Sequence, residues 1–337
     1  MAIEIRATGA YVPANRVTND ELSKTIDTND EWIRSHTGIG ARHIAAEGEA
    51  TSDLAYKAAL AALESLSPGH ADEAAQTIDL VIVSTASPDY YSCPSVACIV
   101  QDKLGIRNAA AFDLMAGCTG WVYAIDAAAG MLKYGNRKRA LVIGADTLSR
   151  ITDWTDRGTC VLFGDASGAV VVERTDAPET GAGRRGLIRS ILGSDGSGAD
   201  HLMCRRGGTR NPFVAGETLD KPIHLEMNGR AVYNFAVKAI TDTMEKLLSE
   251  EGLSMDDIVK IIPHQANERI IQAAAKRLGV SEDKFFMNME KYANTSTATI
   301  PLALDEFARS GGLKKGDIIM TVGFGAGLTY GGNLIVW

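Results

Sequence analysis

Ile78-Asp79-Leu80-Val81-Ile82-Val83-Ser84 is a run of aliphatic, largely β-branched residues closed by a hydroxyl, and Ile258-Val259-Lys260-Ile261-Ile262-Pro263-His264 repeats the pattern in the second half of the chain. Apolar runs of this length and composition read as buried strands. The segments after the two runs also match. A helical stretch closes on Leu104-Gly105 in one half and on Leu278-Gly279 in the other, with glycine where a helix end favours a left-handed residue. A strand and turn come next, Ala111 to Cys118 and then Phe285 to Asn294. Another helix leads to a glycine-ended strand, at Gly144 and at Gly323, and Gly9 and Gly193 stand at similar distances ahead of the two runs. Landmarks recurring in one order point to an internal duplication. The seam falls at 176–186, where Pro178, Gly181 and Gly183 break the pattern, which divides the chain into halves 1–176 and 177–337.

Ala140 to Ile143 and Asp317 to Val322 read as further strands, and Thr51 to Leu66 and Gly120 to Tyr134 as helices, the first opened by Thr51 or Ser52 as a cap. Strands alternating with alanine-rich helices give an α/β architecture. The 337 residues are 45% hydrophobic and 23% charged, the balance of a globular protein, and the net charge of −8 argues against nucleic acid as the main partner. The first residues alternate rather than forming a secretory leader, and no apolar run is long enough to span a membrane. The five cysteines are odd in number and contain no C-x-x-C pair. They read as reduced thiols of a cytoplasmic protein, with no disulfide framework and no metal site, four or five of them filling space as small buried residues.

The duplication has a chemical consequence. In α/β sheets, reacting groups collect at the carboxyl ends of strands, and two halves packed together bring matching ends toward one centre. Cys118, His264, Asn294 and Gly325 all stand at such ends. Cys118 lies in Met115-Ala116-Gly117-Cys118-Thr119-Gly120, just before a helix whose positive end favours a thiolate. On its own the cysteine reads better as a small residue where strand meets helix. A lone histidine after an apolar strand is, similarly, more often structural. Asn294, at the position the repeat pairs with Cys118, adds a neutral donor suited to a carbonyl oxygen gaining charge. Gly323-Phe324-Gly325-Ala326-Gly327 can bend backbone N–H groups into the same site, and it lacks the spacing of a phosphate loop.

With these residues in place the sequence resembles the β-ketoacyl-acyl-carrier-protein synthase III family of thiolase-superfamily condensing enzymes. The resemblance runs essentially end to end, through Asp30-Glu31-Trp32-Ile33, Thr37-Gly38-Ile39, the cysteine turn, Asp156-Arg157-Gly158-Thr159, Phe163-Gly164-Asp165, Pro263-His264-Gln265-Ala266-Asn267 and Tyr292-Ala293-Asn294-Thr295-Ser296. It implies a homodimeric acyltransferase with a thiolase-like five-layered αβαβα sandwich built from two duplicated halves. The resemblance implies that Cys118 takes an acyl group from acyl-CoA. On the same resemblance, malonyl on acyl carrier protein would then lose CO2 and attack the acyl-cysteine, which would initiate fatty-acid synthesis. It further implies that His264 and Asn294 hold the malonyl thioester oxygen and that the backbone N–H groups of Cys118 and Ala326 form the oxyanion hole. Thr28, Trp32, Arg157, Gly229 and Asn267 match CoA-binding positions. Arg269, Lys276 and Arg277 match the surface that docks the carrier protein; without the family, that trio reads as the solvated face of a helix. Cys93 and Phe324 match the acyl pocket at the dimer contact. The resemblance implies no permanently bound cofactor and no metal, with acyl-CoA as substrate, and neither a nucleic-acid nor a membrane partner.

The chain lacks the second catalytic cysteine of thiolases, having none after Cys204, and it carries asparagine where the elongating synthases have a second histidine. Within family III, a paralogue of secondary metabolism that transfers the acyl group without decarboxylation, or makes a polyketide or quinolone precursor, is the alternative. A CoA- or carrier-binding protein without catalysis is opposed by the presence of Cys118, His264 and Asn294 together. Three positions depart from the family: His36 stands where arginine is common, Arg230 where a small polar residue is frequent, and Cys93 where some members place a phenylalanine. A smaller residue at 93 leaves room for a primer longer or more branched than acetyl.

Overall fold

The computed structural model describes residues 1–181, 183–214, 216 and 223–337. Among the described residues, nine strands make the two large sheets. The first contains β1 (Ala2–Tyr11), β2 (Leu80–Ser84), β3 (Ala110–Leu114), β4 (Arg139–Thr147) and β5 (Asp165–Thr175), in the order β1-β5-β4-β2-β3. The second contains β6 (Gly186–Ser194), β7 (Ile258–Pro263), β8 (Ile318–Gly325) and β9 (Thr329–Val336), in the order β6-β9-β8-β7. Strand directions correspond pair by pair. β1 with β5 and β5 with β4 are antiparallel, and β4 with β2 and β2 with β3 are parallel. In the second sheet β6 with β9 and β9 with β8 are antiparallel, and β8 with β7 is parallel. A single parallel bridge from Ile261 to Phe285 stands where the fifth strand would be. The duplication expected from the sequence is therefore present in the topology.

Among the described residues, the seven longest helices clothe the sheets: α1 (Asp30–Thr37), α2 (Thr51–Leu66), α3 (Val96–Lys103), α4 (Gly120–Tyr134), α5 (Gly229–Glu251), α6 (Glu268–Leu278) and α7 (Thr299–Arg309). The central runs are apolar at every position because each sheet is covered on both faces. Leu80 and Ile82 face a central layer formed by Trp121, Ile125 and Leu132 of α4 and Ile300 and Leu304 of α7. Ile262, Ile319 and Ile335 close that layer from the second sheet. Val81 and Val83 point the other way, against the alanine face of α2 and against Val96 and Val100 of α3. On the far side α5 and α6 pack Ile240, Met244, Ile271 and Ala274 over Met320, Val322 and Leu334. Each fully buried aliphatic side chain contributes about 1.5–3 kcal/mol. The result is five layers, αβαβα.

Some expectations are corrected. Residue 182 of the expected seam lies outside the described residues. Neither Thr51 nor Ser52 caps α2. The N-cap is Ala50, whose N–H donates to the Asp53 carboxylate, while the Thr51 hydroxyl donates to the Ser87 carbonyl. The cysteines are less buried than expected. Cys160 alone is buried, Cys118 and Cys204 are half-buried, and Cys93 and Cys98 are exposed, the Cys98 thiol donating to the Ala111 carbonyl of the edge strand β3. The stretch Phe285 to Asn294 is not a full strand. After the bridge at Phe285 it turns into a short helix, Met289–Tyr292, because Gln265 takes the N–H groups of Asn288 and Met289 that a ladder would have used.

Candidate active site

Cys118 lies between β3 and α4, in a turn that Gly117 permits by adopting a positive φ of 53°. Thr119 stands at the N-cap of α4 and makes no side-chain cap bond; its hydroxyl lies 3.0 Å from that of Thr329. The opposing turn, after β8, fits against this one without spare room. A Cβ on Gly325 would stand 2.6 Å from the Cys118 nitrogen, and one on Gly117 would stand 2.8 Å from the Ala326 nitrogen. The Thr329 hydroxyl joins the two turns through the carbonyls of Ala116 and Ala326, at 2.8 and 3.0 Å. Cys118 keeps part of its surface open to a cavity, but it lies deep in the protein. Burial pushes its thiol up to about 11. The Ser296 hydroxyl and the N–H groups of Cys118 and Ala326 pull it down, and the Asp146 carboxylate pushes it further up.

His264 follows β7 and extends the parallel ladder, its N–H donating to the Val322 carbonyl at 2.7 Å. The ring is fully buried. Nδ1 lies 2.7 Å from the Thr299 hydroxyl, whereas Nε2 has no hydrogen-bond partner. Phe324 of β8 packs edge-on against it at 5.0 Å. Burial pushes the imidazole down to about 3, so it is neutral at physiological pH.

Asn294 is tied to the first half. Its N–H donates to the Leu162 carbonyl at 2.9 Å and its own carbonyl accepts from Gly164 at 3.0 Å. The side-chain Oδ1 accepts from the Ser296 N–H at 2.9 Å, which leaves the Nδ2 donor as the end the amide can offer to the cavity. Ala293 and Ser296 on either side both have positive φ, 61° and 51°, a conformation that costs non-glycine residues energy and gathers at functional sites. The turn is held down by Asp146, a fully buried carboxylate at the end of β4. Its Oδ2 accepts from the N–H and hydroxyl of Thr297, at 3.0 and 2.8 Å. Its Oδ1 accepts from the Thr85 and Ser87 hydroxyls and from the Ala86 and Ser87 N–H groups.

Cys118, His264, Asn294, Phe324 and Ala326 thus line one cavity of about 1180 Å³. Trp32, Arg157, Gly229 and Asn267 line the same cavity, and Thr28 does not. The Thr28 hydroxyl is buried without a partner. The Arg157 guanidinium lies over the Trp32 ring at 4.0 Å, and His36 stacks on the same ring at 4.4 Å and 18°. Asn267 caps α6 and donates to the His36 carbonyl, so both ends of its amide are taken within the protein. Arg269 is exposed and donates to the Ser35 carbonyl, Lys276 is exposed at the far end of α6, and Arg277 pairs with Asp242 at 3.5 Å. Cys93 is exposed and is not a lining residue, although Tyr91 is. Arg230 is exposed on the first turn of α5. Sequence reading missed Asp146, Ser296 and Thr299. The one available signal was the unbroken polar run Asn294-Thr295-Ser296-Thr297 just before an apolar helix. Among the described residues no cluster of His, Cys, Asp and Glu is placed to hold a metal ion, and no helix is long and apolar enough to cross a membrane.

Two family models match the chain, 3-oxoacyl-[acyl-carrier-protein (ACP)] synthase III over residues 112–196 and its C-terminal counterpart over residues 248–337. The chain is 50% identical to the β-ketoacyl-[acyl-carrier-protein] synthase III of Clostridium acetobutylicum, over 100% of this chain and 99% of that protein. The chain belongs to this family. Among solved structures, the family member from Thermus thermophilus is 42% identical with a TM-score of 0.88, covering 99% of each chain. The one from Aquifex aeolicus is 38% identical with a TM-score of 0.89, covering 100% of each. The five layers are accordingly the thiolase-like sandwich of the synthase III family, and the protein is an acyltransferase of the condensing class.

Proposed function

We propose that this synthase III carries its acyl group on Cys118 and joins it to malonyl on an acyl carrier protein, with release of CO2, in the step that starts fatty-acid synthesis. The observation that carries this reading is the meeting of Cys118, His264 and Asn294, from three separate elements, in one cavity whose lining also includes Trp32 and Arg157. The Cys118 sulfur attacks the acyl-CoA carbonyl, the carbon–sulfur bond to CoA breaks, and CoA leaves as its thiol after taking up the proton. The N–H groups of Cys118 and Ala326 hold the oxyanion; losing one such donor costs about 10²–10³-fold in rate. Malonyl thioester then loses CO2, His264 and Asn294 hold the resulting enolate oxygen, and its carbon attacks the acyl-cysteine to give the β-ketoacyl product and free Cys118.

Trp32, Arg157 and Gly229 are assigned to CoA, with Thr28 and Asn267 shaping that end of the site, and Arg269, Lys276 and Arg277 to the carrier protein. Phe324 bounds the acyl pocket, with Cys93 reaching that of a second copy. The division into halves at 176/177 accords with β5 ending at Thr175 and β6 opening at Gly186. A homodimer accords with β3, an edge strand open on one side, and with exposed Tyr90, Tyr91 and Met115 near it. We place the enzyme in the cytoplasm, working without a resident cofactor. Mixing the protein with acyl-CoA and weighing it tests the nucleophile: the expected adduct appears in wild type and is absent from Cys118→Ser. His264→Ala and Asn294→Ala are expected to lose CO2 release from malonyl carrier protein far more than Cys118 acylation. Equal loss of both steps would show the roles misassigned.

A further inference from the structure

A neutral imidazole has one N–H, and which nitrogen carries it decides whether His264 can donate to an oxygen in the cavity. Three observations bear on that choice. Nδ1 lies 2.7 Å from the Thr299 hydroxyl. That separation is ordinary for a donating hydroxyl and short for a donating N–H. The hydroxyl has a single proton, and its other acceptor within reach is the Ser296 carbonyl, farther away at 3.0 Å. That carbonyl already accepts from the Thr299 N–H, so it does not need the hydroxyl, whereas a bare imidazole nitrogen buried here has no other donor. Finally, Nε2 is buried without a partner in a residue that lines the cavity. A buried unmade donor is costly in an empty pocket and is the kind of group a ligand completes.

From this geometry we infer that Thr299 is a positioning residue that donates its hydroxyl proton to Nδ1 of His264 and thereby fixes the imidazole as an Nε2–H donor. The inference deepens the reading of His264 above and rests on it for its role in condensation. It has a second consequence. An imidazole already protonated at Nε2 cannot also take the Cys118 proton there, so the acylation step leans on the backbone N–H groups and the start of α4. His264 is then ready as a donor before malonyl arrives, and no proton has to be moved to prepare it. Thr299 is almost completely buried at the head of α7 and is fixed by that helix. Its hydroxyl is held in place whether or not substrate is bound.

The state of the ring can be read directly by 15N NMR of histidine-labelled wild-type protein, with His264→Gln assigning the signal. The expected result is a protonated Nε2 and a bare Nδ1. A protonated Nδ1 overturns the proposal whatever the activity is. Thr299→Val keeps the shape and removes the hydroxyl. It is expected to slow malonyl decarboxylation on the order of 10- to 100-fold, less than loss of a donor outright, while Cys118 acylation by acyl-CoA stays within a few-fold. Thr299→Ser is expected to restore both the wild-type spectrum and the rate. Equal loss of both steps in Thr299→Val, or failure of Thr299→Ser to restore, also overturns it. A wild type that forms no acyl-cysteine would instead refute the proposed reaction, and the NMR result would stand apart from it.

Discussion

At the scale of single residues, the site sets a protonated thiol against a neutral base. Burial has moved the two in opposite directions, Cys118 up to about 11 and His264 down to about 3, because each loses its charged form when water is removed. The thiolate is therefore a minor species at pH 7, and small local donors decide how minor it is. Ser296 is the side-chain donor among them, its buried hydroxyl pulling the thiol pKa down against the effect of burial. Ser296→Ala is expected to slow iodoacetamide alkylation of Cys118 several-fold at pH 8 and to move the alkylation midpoint upward. Ser296→Gly, which accepts the positive φ at ease, should slow alkylation by the same amount. Alkylation profiles that coincide with wild type would remove Ser296 from the thiol's surroundings. For stability the signs are also fixed. The folded-state pKa of His264 lies below its unfolded value of 6.5. Its contribution is present above pH 6.5 and is lost as pH falls toward 3. Urea midpoints of wild type and His264→Gln should therefore converge as the pH drops from 7 to 4.

At the scale of elements, the turns that line the cavity are short pieces clamped by groups from the other half. The turn at 294–299 carries Asn294, faces His264 through Thr299, and is tied to Asp146 at the end of β4. Asp146→Asn exchanges an acceptor for an N–H2 group amid six donors, two of which, the Ser87 N–H and the Thr297 hydroxyl, also reach the Thr85 hydroxyl and the Ser84 carbonyl. It is expected to cost at least about 3 kcal/mol in urea unfolding. Removing the negative charge also takes away a cause of the raised Cys118 pKa, so alkylation of the surviving folded protein should speed up. Instability and greater thiol reactivity in one variant is a signature that a simple packing defect would not give. How much of this was legible depends on where each residue finds its partners. β2, β7, α2 and α4 were readable because an apolar run or an amphipathic alanine face depends on its own residues. The cap of α2 was misread, since the Thr51 hydroxyl finds Ser87 across the fold. Asp146 looked like any carboxylate after a strand, because its six donors come from segments far away in the chain. Cys118 and His264 gained meaning from the repeat, which paired strand ends, and the family motifs gave them roles.

At the scale of the whole molecule, the duplication explains why one cavity collects groups from both halves. β3 leads to Cys118, and the point opposite it in the second half leads through the Phe285 bridge to Asn294; β2 ends at Ser84, and β7 runs into His264. Three of the groups that follow these corresponding strand ends, Cys118, His264 and Asn294, line the one cavity, and the sheets behind them are buried on both faces. Specificity for the primer must then come from the loops that close the cavity. Cys93 belongs to such a loop, two residues from Tyr91, which lines the cavity and meets Phe213 ring to ring at 6.5 Å. A phenylalanine at 93, as in some family members, would fill space that cysteine leaves open. One methylene more or less in an apolar pocket shifts selectivity about 10- to 200-fold. Wild type should therefore turn over branched four- and five-carbon acyl-CoA primers at least as well as acetyl-CoA. Cys93→Phe should raise the preference for acetyl-CoA at least about 10-fold in kcat/KM. The comparison belongs to the proposed dimer, so the oligomeric state of both proteins is to be checked by sedimentation. Strict acetyl-CoA preference in wild type, or an unchanged preference in a dimeric Cys93→Phe, would show that another loop sets the length of the acyl pocket.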